Sequence, residues 1–160
     1  MNAFQQLYLK GNSKAAEAEF SRLKVELSAT GRPSLVARAE LVRCALRAAS
    51  LEFDDCPAFE ALRADAGPEE LAYANYLSGK TARAANDDAL SRLVSYGVKF
   101  KTGEVNPGEI NAAAELSSEQ GWRRPLLAWL GVQAKRAEAA GDRASLERIR
   151  RRISLVSSEK

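Results

Sequence analysis

Glycine cuts this chain into blocks, and between the cuts the apolar residues recur at the helical period. Glycines stand at 11, 31, 79, 121 and 141, each closing a run with apolar residues three or four apart. Glycine ends a helix well because it takes positive φ without steric cost. The composition agrees: 29 Ala and 19 Leu face only 8 Val and 3 Ile, a ratio that favours helix over strand. At 160 residues, with 46 % hydrophobic and 28 % charged side chains, the chain has the size and composition of one folded all-helical domain spanning 1–160.

The punctuation predicts eight or nine helices. The first covers Asn2 to Lys10. The second is capped by Asn12 or Ser13 and runs to about Ala29, with Ala16, Phe20, Leu23 and Leu27 on one face. Pro33 opens a third, reaching about Leu51, and Pro57 a short fourth through Leu62. Pro68 opens the fifth, which stops at Gly79, and Thr81 begins a sixth to roughly Lys101. Gly97 weakens the second half of that helix, where Val98 and Phe100 alternate with lysines and leave a short extended stretch as the other reading. Asn106-Pro107 opens the next helix, ending at Gly121. Trp122 to Ala140 follows, and Asp142 caps the last, in which Leu146, Ile149, Ile153 and Val156 form an inward stripe.

Several function classes fall away at once. The chain contains no histidine, which excludes Ser-His-Asp and Cys-His catalysis and zinc sites built on imidazole. No apolar run approaches the roughly 20 residues of a membrane span. Carboxylate pairs at Asp54-Asp55, Glu69-Glu70 and Asp87-Asp88 sit at helix starts, where acidic side chains complement the helix dipole. Capping is their first reading. Glu52, Asp54, Asp55 and Glu60 lack the glycine-containing calcium loop, so no metal and no cofactor is expected.

Cys44 and Cys56 lie twelve residues apart on either side of one turn. From Cys44 to the helix end is about 10 Å, which four extended residues can retrace, so a disulfide closes without strain. A bridge implies an oxidising compartment, the periplasm or cell envelope. Two reduced, buried cysteines in a cytoplasmic protein are the alternative.

Charge is divided unevenly. The total is +3, but residues 1–122 carry net −3 and residues 123–160 net +6. Arg148, Arg150, Arg151 and Arg152 form the densest run. They read as a solvated face of the terminal helix, as a site for an acidic protein partner, or, with Arg123, Arg124, Lys135 and Arg136, as a nucleic-acid surface, in that order.

An internal repeat is also visible. Tyr8-Leu9-Lys10-Gly11 recurs as Tyr76-Leu77-Ser78-Gly79, each followed by a capping hydroxyl (Ser13, Thr81) and an alanine (Ala16, Ala84). Ser21-Arg22-Leu23 recurs as Ser91-Arg92-Leu93, and Ala140-Gly141-Asp142 is a fainter third instance. With Gly11-Asn12 followed by Ala16 and Phe20, the pattern resembles the tetratricopeptide family. It departs from that family at Asp88, where phenylalanine belongs, and in lacking the family's tryptophan and closing proline. The resemblance implies a right-handed solenoid of stacked antiparallel helical hairpins. It implies a non-enzymatic protein-interaction scaffold, with partner contacts at Tyr73, Asn75 and Gln133 on the concave face; the charge run separately offers Arg148, Arg151 and Arg152 to an acidic partner. It also implies that the first helix begins before Met1, so an upstream segment such as a targeting signal is expected, with a naturally short opening helix as the alternative. A cytosolic nucleic-acid-associated protein is the competing function.

Overall fold

A computed structural model describes residues 1–158. Glu159 and Lys160, which the sequence reading counts in the basic C-terminal quarter, lie outside the described residues. Residues 1–158 are all helix and loop: α1 (Asn2–Leu9), α2 (Ser13–Ser28), α3 (Pro33–Ala49), α4 (Pro57–Glu60), α5 (Pro68–Leu77), α6 (Ala89–Thr102), α7 (Pro107–Gln120), α8 (Arg123–Ala139) and α9 (Arg143–Ser157), with a 3-10 turn at Arg63–Asp65. No strand occurs among the described residues.

The molecule is built around α3. This helix buries eight residues, Leu41 and Leu46 among them, and it touches α1, α2, α4, α5 and α6. Its wide small-residue face of alanines lets neighbours approach closely. One such close approach is made by α6: a Cβ placed on Gly97 would lie 2.0 Å from the Ala48 carbonyl oxygen. Gly97 is therefore the residue that lets α6 cross α3, and the helix continues through Val98 and Phe100 where the sequence left an extended stretch open. Trp129 of α8 reaches the same place. Its ring is fully buried and its Nε1–H donates to the Ala49 carbonyl at 3.0 Å, satisfying an acceptor that the end of α3 leaves open.

Consecutive helices joined by short turns pack side by side: α1 on α2, α2 on α3, α6 on α7, α7 on α8, and α8 on α9. In addition α1 meets α8. The α1–α8 contact is made by Arg124, whose Nε donates to the Tyr8 carbonyl at 2.7 Å and whose guanidinium stacks over the Tyr8 ring at 4.3 Å.

The sixth helix differs from the sequence expectation. It begins at Ala89, and residues 80–88 are irregular. The stretch from Thr81 to Asn86 offers no large apolar side chain to bury, and helical propensity alone does not hold so short a segment. Asp88 supplies the true cap, its carboxylate accepting from the Ser91 N–H at 2.9 Å. Ala84, which the family resemblance assigns to a second helix, thus lies outside any helix, whereas Ala16 and Phe20 of the first hairpin are both buried in α2.

The last helix differs in depth. None of its residues is buried; Leu146, Ile149, Ile153 and Val156 are half-buried, and Leu155 is 75 % exposed. The predicted inward stripe is covered on one side only, because α9 packs mainly against α8 and no tenth helix follows among the described residues.

Candidate partner-binding groove

Three helices at the C-terminal end enclose an open groove of about 700 Å³. The first turn of α7 contributes Ile110 and Asn111, α8 contributes Gln133 and Arg136, and α9 contributes Arg148, Ile149, Arg151, Arg152 and Leu155. Asn106 places the start of α7: it forms a reciprocal capping box with Glu109, at 2.8 and 3.0 Å, and Pro107 occupies the first turn. Glu109 in turn holds Lys99 of α6 at 2.6 Å, and this ammonium keeps the Glu109 carboxyl below its usual range. Asp142 fixes the start of α9 by accepting from the Ser145 N–H at 3.1 Å. Across the groove, Gln133 Nε2 donates to Asn111 Oδ1 at 2.9 Å, so α7 and α8 are joined by an amide pair.

The electrostatics of the groove are one-sided. Arg152 faces Glu115 at 3.7 Å. Arg136, Arg148 and Arg151 have no carboxylate within 4 Å among the described residues; the Arg148 guanidinium donates to the Ser145 hydroxyl at 3.0 Å. A guanidinium stays protonated at any physiological pH and presents a planar fork that matches a carboxylate. Ile110, Ile149 and Leu155 line the same groove. The arrangement can take a chain that alternates carboxylates with apolar side chains.

Of the six residues singled out from the sequence, the structure brings four together here: Gln133, Arg148, Arg151 and Arg152. Tyr73 and Asn75 are elsewhere, on α5, which turns toward α3. Tyr73 lines a separate cavity of about 300 Å³ with Arg38, Glu70 and Arg83. Arg83 lies over its ring at 5.2 Å, and burial pushes its hydroxyl up to about 12. Asn75 lines neither space; its backbone carbonyl closes the end of α5 by accepting from the Lys80 N–H at 2.9 Å. Sequence reasoning missed Asn111 and Leu155; Arg136 it names among the basic residues that would join the α9 arginines in a nucleic-acid surface, and the structure brings it beside Arg148, Arg151 and Arg152. Leu155 falls outside the inward stripe, and its exposure was the missing signal.

Two basic candidates leave the surface account. Arg124 is spent inside the fold on the Tyr8 carbonyl and ring, on the Ser13 hydroxyl, and on Glu52 at 3.7 Å. Arg123 lies against Gly11, at the α1–α2 turn. Tyr8 also donates its hydroxyl to Glu52, and burial followed by this bond and the Glu52 charge holds the phenol well above its ordinary range.

Cys44 and Cys56 are joined in a disulfide with Cα atoms 5.9 Å apart, as the spacing predicts. With Asp54 they form the one group among the described residues whose metal-ligating atoms lie within 4.8 Å of one another. The sulfurs are bonded to each other, so neither is a thiolate ligand. Asp54 is occupied as well, accepting from the Cys56 N–H at 3.1 Å and from Arg47 at 2.9 Å. The other carboxylate pairs act as caps: Glu70 accepts from the Gly67 N–H at 2.9 Å, and it is paired with Arg38 at 3.0 Å. Arg38 first, and then the Gly67 N–H, hold the Glu70 carboxyl below its usual range.

No helix among the described residues is long and apolar enough to cross a membrane. No protein-family model, no curated protein and no solved structure matches this chain.

Proposed function

We propose that this chain is a non-enzymatic interaction module that holds an acidic segment of a partner protein in the α7–α9 groove. One observation carries the reading: three of the four groove arginines face no carboxylate within 4 Å among the described residues, and isoleucine and leucine line the same groove. The half-buried Arg47, Arg63 and Arg124 find carboxylate partners inside the fold, whereas the exposed Arg136, Arg148 and Arg151 find none within 4 Å among the described residues. A row left without them is available to another chain. The caps and ion pairs that occupy Asp54, Glu70 and Asp88 leave those carboxylates no part in acid–base chemistry, which favours binding over catalysis.

The Cys44–Cys56 bridge supports an oxidising compartment, and we place the module in the periplasm or cell envelope. A tetratricopeptide-like architecture is supported by the consecutive packing of short-looped helices and by the glycine-terminated first hairpin. The α1–α8 contact is a departure from the nearest-neighbour stacking of a linear solenoid. The competing reading, a nucleic-acid surface on the same arginines, has no aromatic residue in the groove on which a base could stack.

Fluorescence anisotropy decides between them. The probes are a labelled peptide alternating glutamate with leucine, and generic DNA and RNA of matched length. The peptide should bind and weaken as salt rises, because exposed charges are screened over about 8 Å at physiological ionic strength. Replacing Arg148, Arg151 and Arg152 together by Gln should lower its affinity at least about tenfold, a loss of roughly 1.4 kcal/mol, with an unchanged circular dichroism spectrum. Nucleic acid retained at near-physiological salt, and lost in the triple variant, overturns the protein-partner reading.

A further inference from the structure

A second space, of about 480 Å³, lies against the disulfide at the opposite part of the chain. Its deep side is apolar: Leu41 and Ala48 of α3, Phe59 of α4, and Ala74 and Leu77 of α5, all buried. The Cys44–Cys56 bridge forms part of the wall. Phe53 stands at the opening, stacked with Phe100 at a centroid distance of 6.4 Å.

The wall is held in a conformation that the chain does not adopt elsewhere without glycine. Leu51, Asp55 and Cys56 have φ of 60, 59 and 53°, in the left-handed region. A bulky residue there is a true outlier, and such strain persists only where surrounding structure enforces it. Leu51 ends α3 by the bond pattern that glycine completes in α1: its N–H donates to Ala48 O at 3.1 Å, and that of Glu52 to Arg47 O at 2.8 Å. The disulfide fastens the other end of the segment. Strap and strain together keep the wall standing off α3 and α5, and the space stays open.

Charge at the rim is unequal in what it leaves over. Glu52 is held by the Tyr8 hydroxyl and faces Arg124 at 3.7 Å, Asp54 is held by Arg47 at 2.9 Å, and Glu60 by Arg63 at 2.7 Å. The lysines are not matched in this way. Among the described residues Lys80 has no carboxylate within 4 Å and acts on Glu60, already held by Arg63, only from farther off, and Lys101 reaches Asp55 at 3.8 Å, a side chain that is 96 % exposed. A carboxylate so solvated binds a neighbouring ammonium weakly. The rim thus presents cations to whatever enters an apolar interior.

We propose that this cavity binds an amphipathic monoanion, a single apolar chain ending in a carboxylate, with the chain against Leu41, Phe59 and Leu77 and the carboxylate at Lys80 and Lys101. The volume lies within the range of small-molecule sites, which are apolar with a few polar groups to orient the ligand. The site is independent of the α7–α9 groove and stands whether or not that groove binds a partner.

Isothermal titration of the intact, disulfide-bonded chain tests it with dodecanoate below its aggregation threshold, dodecan-1-ol and dodecyltrimethylammonium. Dodecanoate should bind saturably, one per chain, with the alcohol at least about tenfold weaker, since a hydrogen bond to a charged group contributes more than a neutral one. The cationic amphiphile should show no saturable binding. Lys80→Gln with Lys101→Gln, both surface changes, should weaken dodecanoate about tenfold and leave the alcohol unchanged. Ala74→Leu, checked for folding by circular dichroism, should fill the space and abolish binding of both. No saturable dodecanoate binding, equal affinity for acid and alcohol, or a lysine variant that binds as before each overturns the proposal.

Discussion

The helix at the centre of the molecule and the helix at its end are built from similar residues and treated oppositely. α3 and α9 have nearly the same length and both carry aliphatic stripes among arginines. α3 buries eight residues, and its neighbours approach so closely that Gly97 admits no side chain; α9 buries none. The arginines follow suit. Arg47 of α3 is held by Asp54 at 2.9 Å and Arg38 by Glu70 at 3.0 Å, whereas in α9 Arg150 and Arg152 reach Glu138 and Glu115 only at 3.8 and 3.7 Å, and Arg148 and Arg151 face no carboxylate within 4 Å among the described residues. The lesson is a division of labour. Helices surrounded on several sides supply the fold's stability, and the helix packed mainly on one side keeps the unsatisfied chemistry that a partner can use.

The comparison breaks most visibly at Trp129, which ties α8 to the end of α3. Trp129→Ala removes a fully buried ring and strands the Ala49 carbonyl. Deleting a buried aromatic costs about 3–5 kcal/mol, so denaturant unfolding should show a loss in that range. A loss below about 1 kcal/mol would mean that α3 is not the centre on which the other helices depend.

That centre was legible in part. The Pro33 start and the run to about Leu51 predict α3, and the even cysteine pair predicts the bridge. Gly97 reads from sequence as a weak point in α6, because local propensity charges glycine its backbone entropy. In three dimensions the missing Cβ is what permits the α3–α6 crossing, and nothing local announces that partner. The irregular 80–88 segment was hidden for a related reason. Alanine-rich sequence scores as helix, yet that stretch has no large apolar residue to bury, and helices in proteins are held by burial. In the groove, the arginine run was visible as charge, but its meeting with Arg136 and Asn111 depends on how α7, α8 and α9 pack. Tyr73 and Asn75 lie outside this groove because α5 packs against α3, a placement that the analogy to a concave face does not specify.

A smaller effect is expected at the bridge, which sharpens the comparison by strapping the chain after α3 back onto it. Cys44→Ser with Cys56→Ser opens a loop whose ends are twelve residues apart. The chain-entropy account assigns about 3 kcal/mol to a loop near this length. The double variant should therefore unfold at lower denaturant, close to the behaviour of the reduced wild type. Equal stability of oxidised and reduced protein would show that the strained segment 51–56 is held by packing alone, with the sulfurs contributing nothing.

The smallest effect should come from α9, and it tests the other half of the comparison. Leu155 is 75 % exposed and lines the groove beside Arg151 and Arg152. Leu155→Gln is close in volume and replaces the two terminal methyl groups with an amide. Because water already covers most of the leucine surface, folding stability should change by less than about 0.5 kcal/mol, the usual range for surface positions. Binding should respond more strongly, since the same surface is buried only when the acidic peptide is seated. Covering an aliphatic side chain contributes about 25 cal/mol per Å² of apolar area, so a several-fold loss of peptide affinity is expected. The control is Leu46→Gln in α3, the same chemical change at a position with no exposure at all, which should destabilise the fold by several kcal/mol. If Leu155→Gln also destabilises by more than about 1 kcal/mol, α9 is a structural helix like α3. If it changes neither stability nor peptide affinity, Leu155 is ordinary solvated surface and the groove works by charge alone.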